Sequence, residues 1–435
     1  MMALSNSTVI TILIVLTVSS IALTQTPQPQ RDTLSLSRAI ALALENHPSL
    51  RAAEAGIRFA SGALTQARSS YLPSVNATVG YTRTDGAFVF NPSFPPRQQS
   101  YNSYSAGLQI QQTLFDFGKA TNKISAGSEL LDASSFNAQS SRDNIAMNVQ
   151  LAYFGLVQAQ RVAKVNELAM EQAERHLHQA KAFYNAGRRP LFDVTKAEVD
   201  VANANVNLIR ARNQMRVANV QLENAMGIHP RQSYVLTDTL TVVPFTMSLD
   251  SVKGLALNQQ PDVQSARALL AANQSLASSA WDQHLPSLSA FGNLTWTNFD
   301  FPLFSRWNAG ITLSIPVFQG FSIVGQVEQA EANADAAKAN LDLLTEAITL
   351  EVEQTYLGLE EAEERIAATT KLVEQAEQNL NLAEKQYAAG VGTAIETTDA
   401  HLTLSNARIT NIQALYDYNS ALVRLKRAIG RLAPE

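Results

Sequence analysis

The chain has 435 residues, 46% of them hydrophobic and only 16% charged, so it can bury a large core or present apolar surface to something other than water. A net charge of −5 argues against a nucleic-acid binder, and the absence of cysteine excludes disulfides, thiolate metal sites, thiol catalysis and a lipid-modified amino-terminal Cys. Past the amino terminus, no stretch approaches the roughly 18 uninterrupted apolar residues of a membrane-spanning helix.

Residues 1–25 read as an export signal: Val9 to Val18 is an apolar run, followed by the small residues Ser19, Ser20 and Ala22. One feature departs from the usual pattern, since no Lys or Arg precedes the run. A first unit over 33–230 opens with a helical stretch at 37–70, capped by Ser37 and broken at His47-Pro48. The hydrophobic period then changes to two. Val75, Ala77, Val79 and Tyr81 alternate with Asn76, Thr78, Gly80 and Thr82; past a long polar stretch, Ala106, Leu108 and Ile110 alternate with Gly107, Gln109 and Gln111. Two amphipathic strands are expected, at about 73–83 and 104–116, joined by a loop. From 119 to 186 there is no Pro, and no Gly beyond Gly127 and Gly155, which predicts a helix roughly 100 Å long at about 1.5 Å per residue. It ends at the turn Asn185-Ala186-Gly187-Arg188, and a second helix returns from Asp193 to Gly227, completing a hairpin over 119–227. The return helix covers only half the height. The short helix at 49–70 covers the rest if it stacks end to end on it.

Residues 231–247 read as a linker, and a second unit over 248–430 repeats the order, with strands at about 286–298 and 306–318 and a hairpin over 322–430. The duplication is regular. Pro48 matches Pro261 and Leu72-Pro73-Ser74 matches Leu285-Pro286-Ser287, both 213 residues apart; from Phe115 and Phe318 onward the separation is 203, as for Tyr184 and Tyr387 or Gly187 and Gly390. The first copy therefore carries ten extra residues between about 83 and 105.

The expected fold class is α+β with an internal two-fold repeat. Each of the four strands has one apolar face of about ten residues, the length that crosses a tilted membrane barrel strand. An open sheet in lipid would leave two unpaired edges at several kcal/mol per backbone group, so the chain is expected to close a barrel by oligomerising. Two copies give eight strands and a filled interior, whereas three give twelve and room for a bore that suits the Asn, Gln, Thr and Ser of the other face. A soluble periplasmic coiled-coil structural protein is the rival reading. It accounts for the heptad-like Leu372, Ala376, Leu380, Leu382, Ala383 and Tyr387, but not for the strands. Enzymatic readings fail: His176 and His178 are two apart and face different ways, and no His-Glu-x-x-His, nucleophile elbow or phosphate loop is present. No cofactor or metal is expected.

The two copies disagree at their turns. Asp193 and Lys196 stand where the second copy has Glu396 and Asp399, and a spacing of three puts Glu396 and Asp399 on one helix face. Such acids complement a helix dipole; in a three-fold assembly they would also form a ring of carboxylates. The turn glycines supply positive φ at helix ends.

The break at His47-Pro48, the Leu-Pro-Ser strand entries, the exits Leu114-Phe115-Asp116 and Ile315-Pro316-Val317-Phe318, and the tips Ala186-Gly187-Arg188 and Val391-Gly392-Thr393 resemble the TolC family of outer-membrane efflux proteins, the outer membrane factors. The resemblance covers about residues 33–430. It implies a homotrimer sharing one 12-strand transmembrane β-barrel in outer-membrane lipid of a Gram-negative-type bacterium, continued by a periplasmic tunnel of helical coiled coil. It implies an exit channel of a tripartite efflux system, conducting small molecules handed over by a periplasmic adaptor (membrane fusion) protein and an inner-membrane transporter of RND or ABC type. The exit duct of a type I protein secretion system is the alternative within the same architecture. The insert with Pro92, Pro95 and Pro96 would be an extracellular loop, and His229 to Thr246 part of a belt around the tunnel. By the same resemblance Glu396 and Asp399 form an acidic ring at the periplasmic gate, and Asp193, Arg188, Arg189 and Lys196 are its tip partners. Adaptor hairpins would dock at Gly187, Arg188, Gly390, Val391, Gly392 and Thr393. The family often places an Arg just ahead of these acids as a latch; here Gly392 and Ala394 stand there, which leaves Arg188 and Arg189 to serve from a neighbouring hairpin.

Overall fold

A computed structural model describes residues 33–88, 97–228, 234–237 and 239–430. The expected export signal, the prolines of the insert and His229 lie outside them.

Two short helices open the chain after the two-residue strand β1 (Thr33–Leu34): α1 (Leu36–Asn46) and α2 (Pro48–Arg68). The cap of α1 is Ser35 rather than Ser37: the Ser35 hydroxyl accepts the Arg38 N–H at 3.2 Å. The break at His47 follows from Pro48, which forces its predecessor out of the helical region (φ −68°, ψ 127°) while sitting comfortably at the first position of α2. Strands β2 (Ser74–Phe88) and β3 (Arg97–Phe115) follow, then α3 (Lys119–Asn185) and α4 (Leu191–Ala225). After β4 (Val235–Leu236), which pairs in parallel with β1, the same order returns as α5 (Leu249–Gln259), α6 (Pro261–Trp281), β5 (Ser287–Asn298), β6 (Phe304–Ser314), α7 (Ser322–Ala389) and α8 (Ala394–Ala428).

The long helices α3 and α7 have 67 and 68 residues, and α4 and α8 have 35 each. Two glycines close the helix stacks. Gly227 (φ 67°) abuts His47, where an added Cβ would lie 3.0 Å from its Cα; Gly430 (φ 69°) abuts the α5–α6 break, where a Cβ would lie 2.8 Å from the Gln259 carbonyl oxygen. Only a residue without a side chain fits either joint. The core sits around this level. Tyr153, Leu156, Leu222 and Met226 bury under β1, with the Tyr153 hydroxyl donating to the Leu34 carbonyl at 2.9 Å. Val252, Val352, Tyr418 and Leu425 form a second cluster, with the Tyr418 hydroxyl donating to the Val243 carbonyl at 2.6 Å.

Strands β2, β3, β5 and β6 form one antiparallel sheet in that order, so the β3–β5 pairing joins the two halves of the chain. Among the described residues β2 and β6 are unpaired edges. Register places Val75, Ile110, Ala106, Leu108, Leu294, Trp307 and Ile311 on one face, with Val79 and Trp307 89% and 79% exposed. Asn76, Thr78, Gln109, Asn293, Thr295 and Thr312 fall on the other. The first two strands run further than their hydrophobic alternation suggests. Residues 83–88 and 97–102 are paired, Arg83 with Asn102 through Phe88 with Arg97, so the hairpin reaches further into the polar stretch than the alternation predicts. Polar side chains hide that pairing from a hydrophobicity pattern. Conversely β6 stops at Ser314, short of Phe318, because Pro316 has no N–H to donate.

Aromatic rings gather at both ends of the sheet. Tyr104 contacts Tyr81 and Phe301 at centroid separations of 5.3 and 5.1 Å at the far end, and Phe115–Phe117 and Phe318–Phe321 pair at 4.7 and 5.6 Å where strands meet helices. Phe117 and Phe321 hold φ of 54° and 64°, a left-handed conformation that a bulky residue seldom takes.

Candidate functional site at the helix tips

Each long hairpin closes through a left-handed glycine. Gly187 (φ 70°) ends α3, and Arg188 N–H reaches back to the Phe183 carbonyl at 2.9 Å; Gly390 (φ 83°) ends α7, and Val391 N–H bonds the Gln386 carbonyl at 3.1 Å. Gly187, Arg188, Gly390, Val391 and Thr393 are exposed. Gly392 is not: it is buried, and a Cβ there would stand 2.9 Å from the Tyr387 nitrogen and 3.0 Å from the Gln386 carbonyl carbon. Its expected place among the exposed tip residues is therefore corrected by the tight folding of this turn onto the end of α7.

Arg189 bridges the two turns. Its guanidinium donates to the Gly392 carbonyl at 2.8 Å and to the Tyr387 carbonyl at 3.4 Å, and lies 4.8 Å from the centre of the Tyr387 ring. Tyr387, 1% exposed, in turn donates its hydroxyl to Asp193 at 3.4 Å. Burial, then the Asp193 charge, raises the Tyr387 phenol above its ordinary value, so it remains a donor. Arg188 is exposed. Of the expected tip partners, the structure thus brings together Arg189, Asp193 and Gly392 around a tyrosine that the heptad pattern marks only as core.

Lys196 and Asp200 pair at 2.5 Å one turn further along α4, and the Thr398 hydroxyl of α8 donates to the other oxygen of Asp200 at 2.8 Å. The acids of the second turn part ways. Glu396 completes a capping box: its backbone N–H bonds the Thr393 hydroxyl at 3.2 Å, and its carboxylate accepts the Thr393 N–H at 2.8 Å. Asp399, exposed, has no ion-pair partner among the described residues and borders a cavity of about 330 Å³ shared with Lys196, Asp200, His176 and His401. Neither acid touches Asp193. His176, buried on α3, and His401 on α8 were not singled out by spacing, since their partnership crosses between hairpins; His178 is exposed on another side of its helix. Among the described residues no group of three or more His, Asp or Glu is arranged to hold a metal.

A sequence model of the family described as outer membrane efflux protein matches residues 39–228 and 252–431. The Outer membrane protein TolC of Escherichia coli is 25% identical over 406 residues, covering 89% of this chain and 80% of that protein. The alkaline protease secretion protein AprF of Pseudomonas aeruginosa is 26% identical over 420 residues, covering 90% and 83%. The crystal structure of the CmeC outer membrane channel of Campylobacter jejuni superposes with a TM-score of 0.80 at 20% identity, over 91% of this chain and 85% of that one.

Proposed function

The chain belongs to the outer membrane efflux protein family, and from that membership we propose that it is the outer-membrane exit channel of a tripartite export system. It resides in the outer membrane, with its helices forming a periplasmic tunnel. Three copies close one 12-strand barrel, a periplasmic adaptor docks at the exposed tips, and an inner-membrane transporter of RND or ABC type delivers the cargo. The chain itself does no chemistry on what passes.

The observation that carries this reading is the four-stranded sheet with one apolar face, one polar face and two open edges. In lipid each unpaired backbone group costs several kcal/mol, so the edges must be met by other copies. From Tyr104 to Phe115 a strand of twelve residues rises roughly 36 Å over its eleven steps, or about 28 Å after a tilt of roughly 40°, which matches the height of an apolar band between two aromatic girdles. Three copies would also bring Glu396 and Asp399 together three times around the tunnel axis. Like charges at about 4 Å repel by roughly 1 kcal/mol in water and about 4 at an effective dielectric near 20, so such a ring would favour cations.

The purified chain should need detergent to stay in solution, run at the mass of three copies, and conduct in planar bilayers with cation selectivity that polyvalent cations block. Glu396→Gln with Asp399→Asn should remove the selectivity and the block. A monomeric, detergent-free protein without conductance would sink the reading; a trimeric channel whose selectivity ignores the double substitution would remove the acids from the gate.

A further inference from the structure

Just above the tips, α3 and α8 each send a histidine into the seam between the hairpins. The His176 ring, on a residue only 8% exposed, stands 5.2 Å from the Tyr387 ring and 6.4 Å from that of His401. The Nδ1 of His401 is buried with no hydrogen-bond partner among the described residues, and both rings border the cavity of about 330 Å³. We propose that His176 and His401 form a proton-binding pair that couples the closed tip to acidity: protons taken up at this seam drive the two hairpins apart.

The surrounding charges leave that outcome intact. Arg175 faces the pair from α3, Asp193, Lys196 and Asp200 from α4, Glu384 and Tyr387 from α7, and Asp399 from α8, while Arg189 lies against the Tyr387 ring. Asp200 is already committed to Lys196 and Thr398, and Asp193 to Tyr387. Glu384 reaches the Nε2 of His401 at 3.4 Å, but its side chain is 52% exposed and water screens it. Burial therefore dominates. It lowers His401 to about 4, helped by His176 and Arg175, and burial likewise lowers His176. The closed tip thus keeps both rings neutral, whereas an opened seam returns them to water and an ordinary value near 6.5. Preference for the closed form is complete above about 6.5 and is lost as pH falls from there toward about 4; at pH 5, His401 alone shifts the open-to-closed ratio about thirtyfold relative to pH 8.

This inference rests on reading the tips as a gate, and its test reads their separation directly. The chain has no cysteine, so Arg188→Cys with Val391→Cys places spin labels on the two exposed turns of the full-length protein. Between pH 8 and pH 5 the longer-distance population should grow by about thirtyfold or more relative to the short one. In a His176→Gln, His401→Gln background that growth should vanish; His401→Gln alone, should the double variant misfold, should reduce it to the share of His176. An unchanged acid response in either variant, or none in the parent, overturns the proposal. A chain that separates its tips in acid but conducts nothing overturns the channel and leaves the proton pair standing.

Discussion

At Gly392 the turn admits no side chain, because a Cβ would collide with backbone atoms of Gln386 and Tyr387. An arginine placed there has no room. Arg189 instead supplies a guanidinium from the other hairpin and grips the Gly392 carbonyl directly. A hydrogen bond from a charged donor contributes about 1.5–3 kcal/mol and a cation–π contact about 0.5–1, so about 2 kcal/mol is reasonable for a partly exposed clasp. Arg189→Ala should then raise the open-to-closed ratio of single channels roughly thirtyfold, while Arg188→Ala, at an exposed position, should leave it unchanged. Equal behaviour of the two variants would remove the clasp. Spacing alone could not choose between these neighbouring arginines; only the folded turns bring Arg189 to the Gly392 carbonyl and leave Arg188 exposed.

Among the elements, the long helices were the most legible, since an absence of Pro over some 65 residues has few other outcomes. The strands were legible only where one face is apolar. Where Arg83, Thr84 and Asp85 meet Asn102, Tyr101 and Ser100, pairing continues without a hydrophobic signature and reads as loop. Exposure adds what periodicity could not: Val199, Val206 and Val220 on α4, and Leu343, Leu350 and Leu357 on α7, recur at multiples of seven and are 45–66% exposed. These stripes have the form of coiled-coil seams lacking a partner, and neighbouring copies would cover them. Leu350→Asp with Leu357→Asp should therefore reduce the mass in detergent from three chains to one without loss of helix content. A variant that stays trimeric would place those leucines outside the interface.

For the whole molecule, height was readable from the sequence and closure was not. The two-to-one ratio of α3 to α4, with α2 making up the difference, follows from residue counts; the glycine joints that make it work, Gly227 against His47 and Gly430 against Gln260, are visible only when helix ends meet. The sheet order β2-β3-β5-β6 also has a genetic consequence. Its seam between the two halves of the chain is internal, so every contact around the proposed ring pairs β6 of one copy with β2 of the next, and the ring contains no spare edge. One faulty copy therefore spoils the other two. An Ile311→Pro chain, co-expressed in equal amount with the unaltered chain, should leave only about one ring in eight intact if copies mix at random. Export measured in such cells should fall well below half, the signature of a dominant allele; a loss of only half would mean that copies do not share a wall.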